Sequence, residues 1–341
     1  MTFLNCAEWD EFISQYPGTH YRQAGCWGEA KKLENFAEPV RIAVETAGAQ
    51  ILFPRLPIGI KIAYIPHGPV GKDWPLLWQE VDRFCKRIGV IFLKVEPDIY
   101  EPAPYNLANQ LQGFQKVVEY IQPRRNIVVD LTGSEEEWLA RMTRTGRQNV
   151  RLGLQRGVKA HVSDDMDTFC YLAECTAQQR GIKCRSRKYL QKVYEGFIQC
   201  CGNAKNGFRG VMLLAKYEDK PLAGLIALAN DKRSWGVYTG ARREQCQRKA
   251  SHLIQFEAMR WAARMGCTTY DLENIPDYDE DYLEAHCNLT EGAWGLYRFK
   301  RGFGGKVVRT VGSFDRVYNY PLYSLYKLYM RIRGGYEGHT I

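Results

Sequence analysis

The chain has 341 residues, with 45% hydrophobic and 25% charged side chains and 47 Lys and Arg against 38 Asp and Glu. This length allows two ordinary domains, and the composition excludes a disordered or fibrous protein. Residues 1–12 are too acidic for a signal peptide, and no run approaches the about 20 apolar residues of a membrane-spanning helix. Eleven cysteines without a Cys-x-x-Cys pair favour a reducing compartment. We therefore expect a cytoplasmic protein, with at most a peripheral association at the inner face of a membrane.

The first half of the chain shows the periodicities of two helices, a meander of three strands, and a further helix. These elements are predicted at residues 8–14, 27–35, 40–46, 50–56, 60–65 and 74–88. The second half repeats the order at residues 166–178, 186–199, 210–217, 222–230, 234–240 and 251–265. A long helix at residues 134–155 is predicted to join the halves, and an aromatic-rich helix at residues 321–333 is predicted to pack back on a domain.

A short repeat supports this division into halves. Two arginines, a glycine and a glutamate recur with identical spacing, as Arg83, Arg87, Gly89 and Glu96 and again as Arg260, Arg264, Gly266 and Glu273. Each set marks an amphipathic helix that stops at the glycine and leads into a buried strand. The common order of elements resembles the GNAT acyltransferase fold. We predict an α/β (α+β) protein of two fused GNAT-like domains with mixed sheets flanked by helices: residues 1–133, on which residues 312–341 pack back, and residues 134–311.

A basic segment lies at residues 141–159, which contain six Arg or Lys residues and no acidic residue. On one continuous helix, at about 100° per residue, four of these side chains would share a face. The four are Arg141, Arg144, Arg147 and Arg151. Two interpretations stay open: the solvated face of an amphipathic helix, or a track for the phosphates of a nucleic acid.

An acyl-CoA-dependent GNAT domain needs a glycine-rich turn before the helix that follows the meander, so that backbone amides can approach the pyrophosphate. That turn reads QRKASH at residues 247–252, without glycine, and its counterpart at residues 70–74 has only Gly71. We therefore expect a donor other than acyl-CoA and no bound cofactor. The six histidines and eleven cysteines form no cluster with metal-ligand spacing, so no metal is expected.

The segment FKRGFGG at residues 299–305, followed by Gly312, Phe314 and Asp315, resembles the signature of the Fem peptidyltransferase family (FemABX). Similar segments are WGEAKK at 27–32, YIPHGPV at 64–70, KVEPD at 94–98, QPRRNIVVDLTGSEEEWLARM at 122–142 and DLENIPD at 271–277. The resemblance implies two GNAT-like domains and the transfer of an amino acid from aminoacyl-tRNA to a stem-peptide amine of a peptidoglycan precursor, nucleotide-linked or lipid-linked. It also implies the compact type, without a coiled-coil arm.

The chain departs from the family pattern at two positions. His67 stands where arginine commonly precedes Gly-Pro, and Asn274 stands where glycine is common. Both departures bear on substrate choice rather than on the fold.

The resemblance implies a set of site residues. Lys300 would contact the reacting groups and phosphates and stabilise either the oxyanion of the tetrahedral intermediate or the tRNA terminus. The alternative is a surface lysine beside a glycine-rich turn. Glu96 would accept a proton from the attacking ammonium, with a structural role in binding backbone amides as the alternative. Phe299 would stack on a substrate or fill the core.

The same resemblance assigns the binding of the two substrates. The residues implied for the peptidoglycan precursor are Lys31, Arg185, Tyr189 and Tyr238. The alternative for Arg185 is a charge on a helix surface, and the alternative for Tyr238 is a half-buried aromatic side chain of a strand. The four arginines of the basic segment would bind the aminoacyl-tRNA. An acidic segment, predicted to be a solvated loop, contains Asp271, Asp277, Asp279, Glu280 and Asp281.

Two other functions stay open beside this aminoacyltransferase. One is a GNAT-type N-acyltransferase that uses another acyl donor. The other is a non-catalytic nucleic-acid-binding module.

Overall fold

The computed structural model describes residues 2–56, 59–199, 207–289 and 292–332. It divides into two compact units, one formed by Met1–Arg124 with Arg309–Ile341 and the other by Arg125–Val308. The predicted boundary at residues 133 and 134 thus lies inside the second unit, and the last part of the predicted segment 312–341, from residue 333, lies outside the described residues.

The first unit contains two four-stranded sheets, of strand order β1-β2-β3-β5 and β4-β6-β15-β7. Its strands are β1 (Thr2–Phe3), β2 (Val40–Ala43), β3 (Ala47–Ile51), β4 (Lys61–Pro66), β5 (Val70–Gly71), β6 (Val90–Glu96), β7 (Gln115–Val117) and β15 (Ser313–Val317). Its helices are α1 (Cys6–Ser14), α2 (Gly25–Lys31), α3 (Trp74–Arg87), α4 (Leu107–Gln110) and α12 (Tyr320–Ile332). The apolar side of α3 packs on the sheets through Leu77, Trp78 and Val81, as its amphipathic pattern predicts.

The second unit is built on one seven-stranded sheet of order β14-β8-β13-β12-β11-β10-β9. Its strands are β8 (Arg125–Asp130), β9 (Val158–Val162), β10 (Phe208–Tyr217), β11 (Lys220–Asn230), β12 (Arg233–Ala241), β13 (Thr269–Ile275) and β14 (Lys306–Arg309). Its helices are α5 (Glu135–Arg141), α6 (Arg144–Gln155), α7 (Met166–Arg180), α8 (Arg187–Tyr194), α9 (Ala250–Arg264), α10 (Glu280–Ala285) and α11 (Gly292–Arg301). The nearly continuous apolar run of β11 is buried because helices cover this central strand, and Phe256 and Met259 of α9 lie in the same core.

The internal repeat corresponds to the same substructure in each unit. In the first unit, β4 precedes α3 in the chain, β6 follows it, and the two strands pair in parallel. In the second unit, β12 precedes α9, β13 follows it, and these strands also pair in parallel. Gly89 and Gly266 end these helices with φ of 74° and 86°, a left-handed conformation that favours glycine. Each sheet that holds such a pair also contains antiparallel strands, so the sheets are mixed, as predicted.

The predicted long helix at residues 134–155 is wrong, because the chain forms two helices there. Helix α5 begins with a capping box formed by Ser134 and Glu137 and ends at Arg141. Met142 then turns extended (φ −63°, ψ 150°) and is buried, while the Thr143 side chain caps the new helix by accepting from the Gly146 amide at 3.1 Å. The four arginines therefore do not share one face of one helix.

Among the helices of the described part of the chain, none combines the length and the hydropathy needed to cross a membrane.

Candidate active site

In the second unit, the two central parallel strands, β12 and β13, stop pairing before they end. Their pairing joins Arg233–Trp235 of β12 to Thr269–Asp271 of β13, while the strands run on to Ala241 and Ile275. Beyond Trp235 and Asp271, the described ladder between them stops, so the ends of β12 and β13 are no longer paired with each other. Tyr238 lies on β12 beyond this pairing, and Asn274 lies on β13 beyond it.

Lys300 lies in α11, near its end, and its side chain reaches the end of β13. Its ammonium donates a hydrogen bond to the backbone carbonyl of Asn274, with Nζ and O 2.8 Å apart, and the residue is only 8% exposed. Burial lowers the pKa of Lys300 to about 8, and the nearby Glu273 and Asp271 act against this change. An amine with a pKa near neutrality can both hold and give up a proton at physiological pH.

Two buried carboxylates on β13, those of Asp271 and Glu273, lie near the Lys300 ammonium. Asp271 accepts hydrogen bonds from the Asn126 side-chain amide at 2.8 Å and from the Glu273 backbone amide at 2.6 Å. Burial, with the Glu273 charge, raises the pKa of Asp271 to about 6. Glu273 is also buried and has a left-handed backbone, with φ of 57°. The side chains thus form a compact group of opposite charges at the strand end.

The prediction of a solvated acidic loop is wrong for Asp271, because β13 continues through it and buries it. Farther along, Asp277 forms an ion pair with Arg125 at 2.9 Å, and Asp279 caps α10. Sequence reasoning missed Asp271 and Glu273 as neighbours of Lys300, and Asn126 as the partner of Asp271. The signal was present in the alternation of TYDLENI, which places Asp271 on a strand.

The glycines of the FKRGFGG segment pack against backbone of the same unit. A Cβ at Gly146, in α6, would lie 2.0 Å from the Gly302 carbonyl oxygen, and the Thr143 amide donates to that oxygen at 3.2 Å. Gly304 has φ of 74°, and a Cβ there would lie 2.1 Å from the Arg141 carbonyl oxygen. These glycines therefore let the turn that follows α11 and Lys300 pack against the start of α6.

Phe299 takes the core alternative. It packs on the His252 ring at 4.7 Å between centroids and on the Phe303 ring at 5.3 Å, and it lies against the core of the second unit.

Three of the residues implied for the precursor come together in the second unit. The hydroxyls of Tyr189 and Tyr238 are 2.7 Å apart, so they share a hydrogen bond, and their rings meet edge to face. The Arg185 guanidinium lies over the Tyr189 ring, 5.6 Å from its centroid. Lys31 belongs to the first unit, where it is buried and paired with Glu34 at 2.5 Å.

The four arginines of the basic segment differ in what they contact. The Arg141 guanidinium donates to the carbonyl oxygens of Asp130 and Thr132 at 3.0 and 2.8 Å, and Arg147 donates to that of Leu139 at 3.3 Å. Arg144 and Arg151 are exposed on α6, and neither has an ion pair or hydrogen bond within the described parts of the chain. Of the four arginines, Arg144 and Arg151 are therefore the two whose guanidiniums make no hydrogen bond or ion pair with described residues.

Glu96 lies at the end of β6 in the first unit, and four donors occupy its carboxylate. They are the Tyr64 hydroxyl at 2.5 Å, the Ile121 amide at 2.5 Å, the Gln122 amide at 3.1 Å and the Ser313 hydroxyl at 2.8 Å. Two of these donors are backbone amides, so the geometry favours the structural alternative for Glu96.

Beside Glu96, the first unit contains a histidine pair that sequence reasoning did not connect. The rings of His20 and His67 stack at 3.9 Å, and Asp98 lies 3.6 Å from His67 Nδ1. These three residues could converge on a metal ion. The Arg22 guanidinium is close to both rings, with its Nη1 3.3 and 3.5 Å from the two Nε2 atoms. Burial lowers the pKa of His67, which favours its neutral form.

Comparisons with known proteins agree with this architecture. A sequence model described as the FemAB family matches residues 105–201 and 211–331, which is more than half of the chain. The chain belongs to the FemAB family. Among FemAB-like relatives, a protein named lipid II:glycine glycyltransferase from Staphylococcus haemolyticus (strain JCSC1435) is 23% identical over 408 aligned residues, with 93% of each chain covered.

Two solved structures support the fold of this FemAB protein. The crystal structure of FemX matches with a TM-score of 0.79 at 21% identity, over 95% of this chain and 99% of that one. A tandem GNAT protein from the clavulanic acid biosynthesis pathway matches with a TM-score of 0.50 at 10% identity, over 92% of this chain and 97% of that one. The predictions of the Fem family, of a mixed α/β GNAT-like fold and of a transferase are thereby confirmed.

Proposed function

We propose that this FemAB protein transfers an amino acid from aminoacyl-tRNA to the stem-peptide amine of a peptidoglycan precursor, in the cytoplasm at the inner face of the membrane. The relative from Staphylococcus haemolyticus is named for transfer of glycine to lipid II, which supports a lipid-linked acceptor. The observation that carries the proposal is the buried Lys300 ammonium at the end of β13, beyond its pairing with β12, with a pKa of about 8.

Lys300 suits the aminolysis of an ester. The acceptor nitrogen attacks the ester carbonyl carbon, a C–N bond forms, and the C–O bond to the ribose breaks. An ammonium beside the carbonyl stabilises the negative oxygen of the tetrahedral intermediate. The same group can give its proton to the departing ribose oxygen and regain one from the attacking amine, so protons balance over the cycle.

The remaining residues have roles in placing the two substrates. Arg144 and Arg151, exposed on α6, would contact the phosphates of the tRNA. They would therefore bind it without recognising its bases. The Tyr189–Tyr238 pair, with Arg185, would contact the precursor, since a guanidinium and phenol hydroxyls suit its phosphates and sugars. Lys31 is the corresponding candidate in the first unit.

The acyl-CoA alternative has a specific geometry against it. At the start of α9, where a pyrophosphate would bind, Gly153 of α6 packs so closely that a Cβ there would lie 3.0 Å from Leu253 Cβ. The preceding turn contains non-glycine residues Gln245 and Lys249 at φ of 56° and 59°, and Arg156 donates to the Gln247 carbonyl within it. The turn thus lacks the glycines that a pyrophosphate-binding turn uses, and α6 packs directly on the helix that follows it.

The test is an incubation of the purified protein with a mixture of charged tRNAs and either the nucleotide-linked pentapeptide or the lipid-linked precursor in detergent, followed by mass analysis. We expect the acceptor to gain the mass of one amino-acid residue. A parallel reaction with uncharged tRNA and free amino acids controls for other routes and should give no gain.

The other outcomes separate the alternatives. A mass gain from an acyl-CoA mixture, but not from charged tRNA, would replace the proposal with the N-acyltransferase. Binding of tRNA without transfer to either acceptor would favour the non-catalytic module.

A further inference from the structure

The helix α12 of the first unit has two apolar faces. One is buried: the Tyr323 and Tyr326 rings pack on Phe92 at 5.1 and 5.3 Å, and the Tyr323 hydroxyl donates to Asp315 at 2.9 Å. The other is exposed and contains Leu322, Leu325, Leu328, Tyr329 and Ile332. An ordinary surface helix would have polar side chains there.

The exposed side chains of α12 form a stripe rather than a scatter. Their spacing of three and four residues places them on one side of the helix, opposite Tyr323 and Tyr326. Leu325 is 62% exposed and Ile332 is 77% exposed. Of the eighteen large hydrophobic side chains that are exposed in the described parts of the chain, six belong to this helix. Concentrated exposure of this kind marks an interaction surface.

The charged side chains of α12 itself are all basic. The sequence of residues 320–333 contains Lys327, Arg331 and Arg333 and no acidic residue. Lys327 forms an ion pair with Glu119, whereas Arg331 is exposed. Tyr320 and Tyr329 are exposed toward the two ends of the helix. Leucine and isoleucine on one face, with tyrosine and basic residues at its margins, are typical of helices that lie in a membrane interface.

The size of the stripe argues against a second protein chain as the occupant. A helix of 13 residues is about 20 Å long, so one face offers only a few hundred Å², on the order of half of the about 800 Å² per partner of a stable dimer. A lipid surface needs no complementary shape, and anionic headgroups complement Arg331.

We infer that the outer face of α12 docks this protein on an anionic lipid bilayer, with the helix axis parallel to the surface. The proposed function places the protein at a membrane, and this inference names the surface that binds the lipids. It rests on the proposed function only for the reason to dock, which is access to a lipid-linked acceptor. The binding itself depends on Leu325, Leu328 and their neighbours and not on catalysis.

The test measures co-sedimentation of the full-length protein with vesicles of phosphatidylcholine containing about 30% phosphatidylglycerol, without substrate. We expect the double variant L325Q/L328Q to lower the partition coefficient by about tenfold or more, because two exposed leucines that would insert into the bilayer are lost. The matched control L76Q/I182Q replaces two similarly exposed apolar residues elsewhere and should change it less than twofold. R331Q should weaken binding about fivefold on these vesicles and leave binding to neutral vesicles unchanged.

Three results would overturn the inference. They are an absence of vesicle binding by the parent protein, equal binding by L325Q/L328Q and the parent, and a dimer in sedimentation velocity that this variant dissociates. Transfer to the soluble nucleotide-linked acceptor, measured in parallel, should be the same in L325Q/L328Q and the parent. Failure of docking and failure of the proposed function are therefore seen in separate assays.

Discussion

The side-chain ammonium of Lys300 donates a hydrogen bond to the backbone carbonyl of Asn274, across 2.8 Å at the end of β13. This contact holds a buried cation where the two central strands of the second unit separate. Because burial brings the pKa of the lysine to about 8, its charge depends on pH in the range where the protein would work.

The first prediction concerns the charge of Lys300. We expect kcat for transfer to fall above about pH 8 as the ammonium loses its proton, and K300Q to lower kcat by about 100-fold or more. K300R keeps a positive charge at every accessible pH, so its residual activity should not decline above pH 8. Profiles of kcat from pH 6.5 to 9.5 measure this. A parent-like profile in K300Q would remove Lys300 from the mechanism.

The second prediction concerns Asp271, whose negative charge raises the pKa of Lys300. D271N removes that charge, so the pKa of the lysine should fall and the alkaline decline of kcat should begin at lower pH. D279N is the matched control, because asparagine also caps a helix and Asp279 caps α10. A profile that moves equally in both variants would show that the effect is not local to Lys300.

The third prediction separates structure from catalysis at Glu96. In E96Q an amide donor would face groups that now donate to the carboxylate, so we expect the folded first unit to lose about 2–4 kcal/mol. S313A removes a single donor and should cost about 1 kcal/mol. Urea unfolding measures both. If E96Q unfolds like the parent and instead loses kcat, Glu96 is catalytic after all.

The fourth prediction concerns the exposed arginines of α6. R144Q/R151Q should weaken tRNA binding about tenfold at 0.1 M salt and reduce the slope of log affinity against log salt by about 2, since two phosphate contacts are lost. R83Q/R264Q removes the same charge from two exposed arginines elsewhere and should leave the slope unchanged. Titrations at several salt concentrations decide between this result and a merely solvated helix face.

Local patterns predict much of the fold. The helix predicted at residues 251–265 is observed at Ala250–Arg264, and the strand predicted at 222–230 is observed at Lys220–Asn230, because periodicity and glycine stops are properties of short segments. The break after Arg141 was not predictable in this way. It depends on burial of Met142 in the core and on the contact of Gly146 with Gly302, far along the chain.

The candidate site likewise contains features that a local sequence pattern predicts and features that depend on contacts between distant parts of the chain. The FKRGFGG segment identifies Lys300, but its buried neighbours come from other strands: Asn126 reaches Asp271 from β8. The four donors to Glu96 come from residues 25 to 217 positions away, so no local pattern marks its carboxylate as occupied. The partners of Arg141 and Arg147 likewise become visible only when the chain is folded.

The absence of side chains at Gly146 and Gly302 lets two stretches of main chain touch, and a single added methyl group would force them apart. The start of α6 and the end of α11, which contains Lys300, are therefore packed main chain against main chain. In the proposed function, a donor whose phosphates lie along α6 would present its reactive ester at a fixed distance from the Lys300 ammonium. Donors would then be distinguished by the length between their phosphates and their ester, whatever their base sequence.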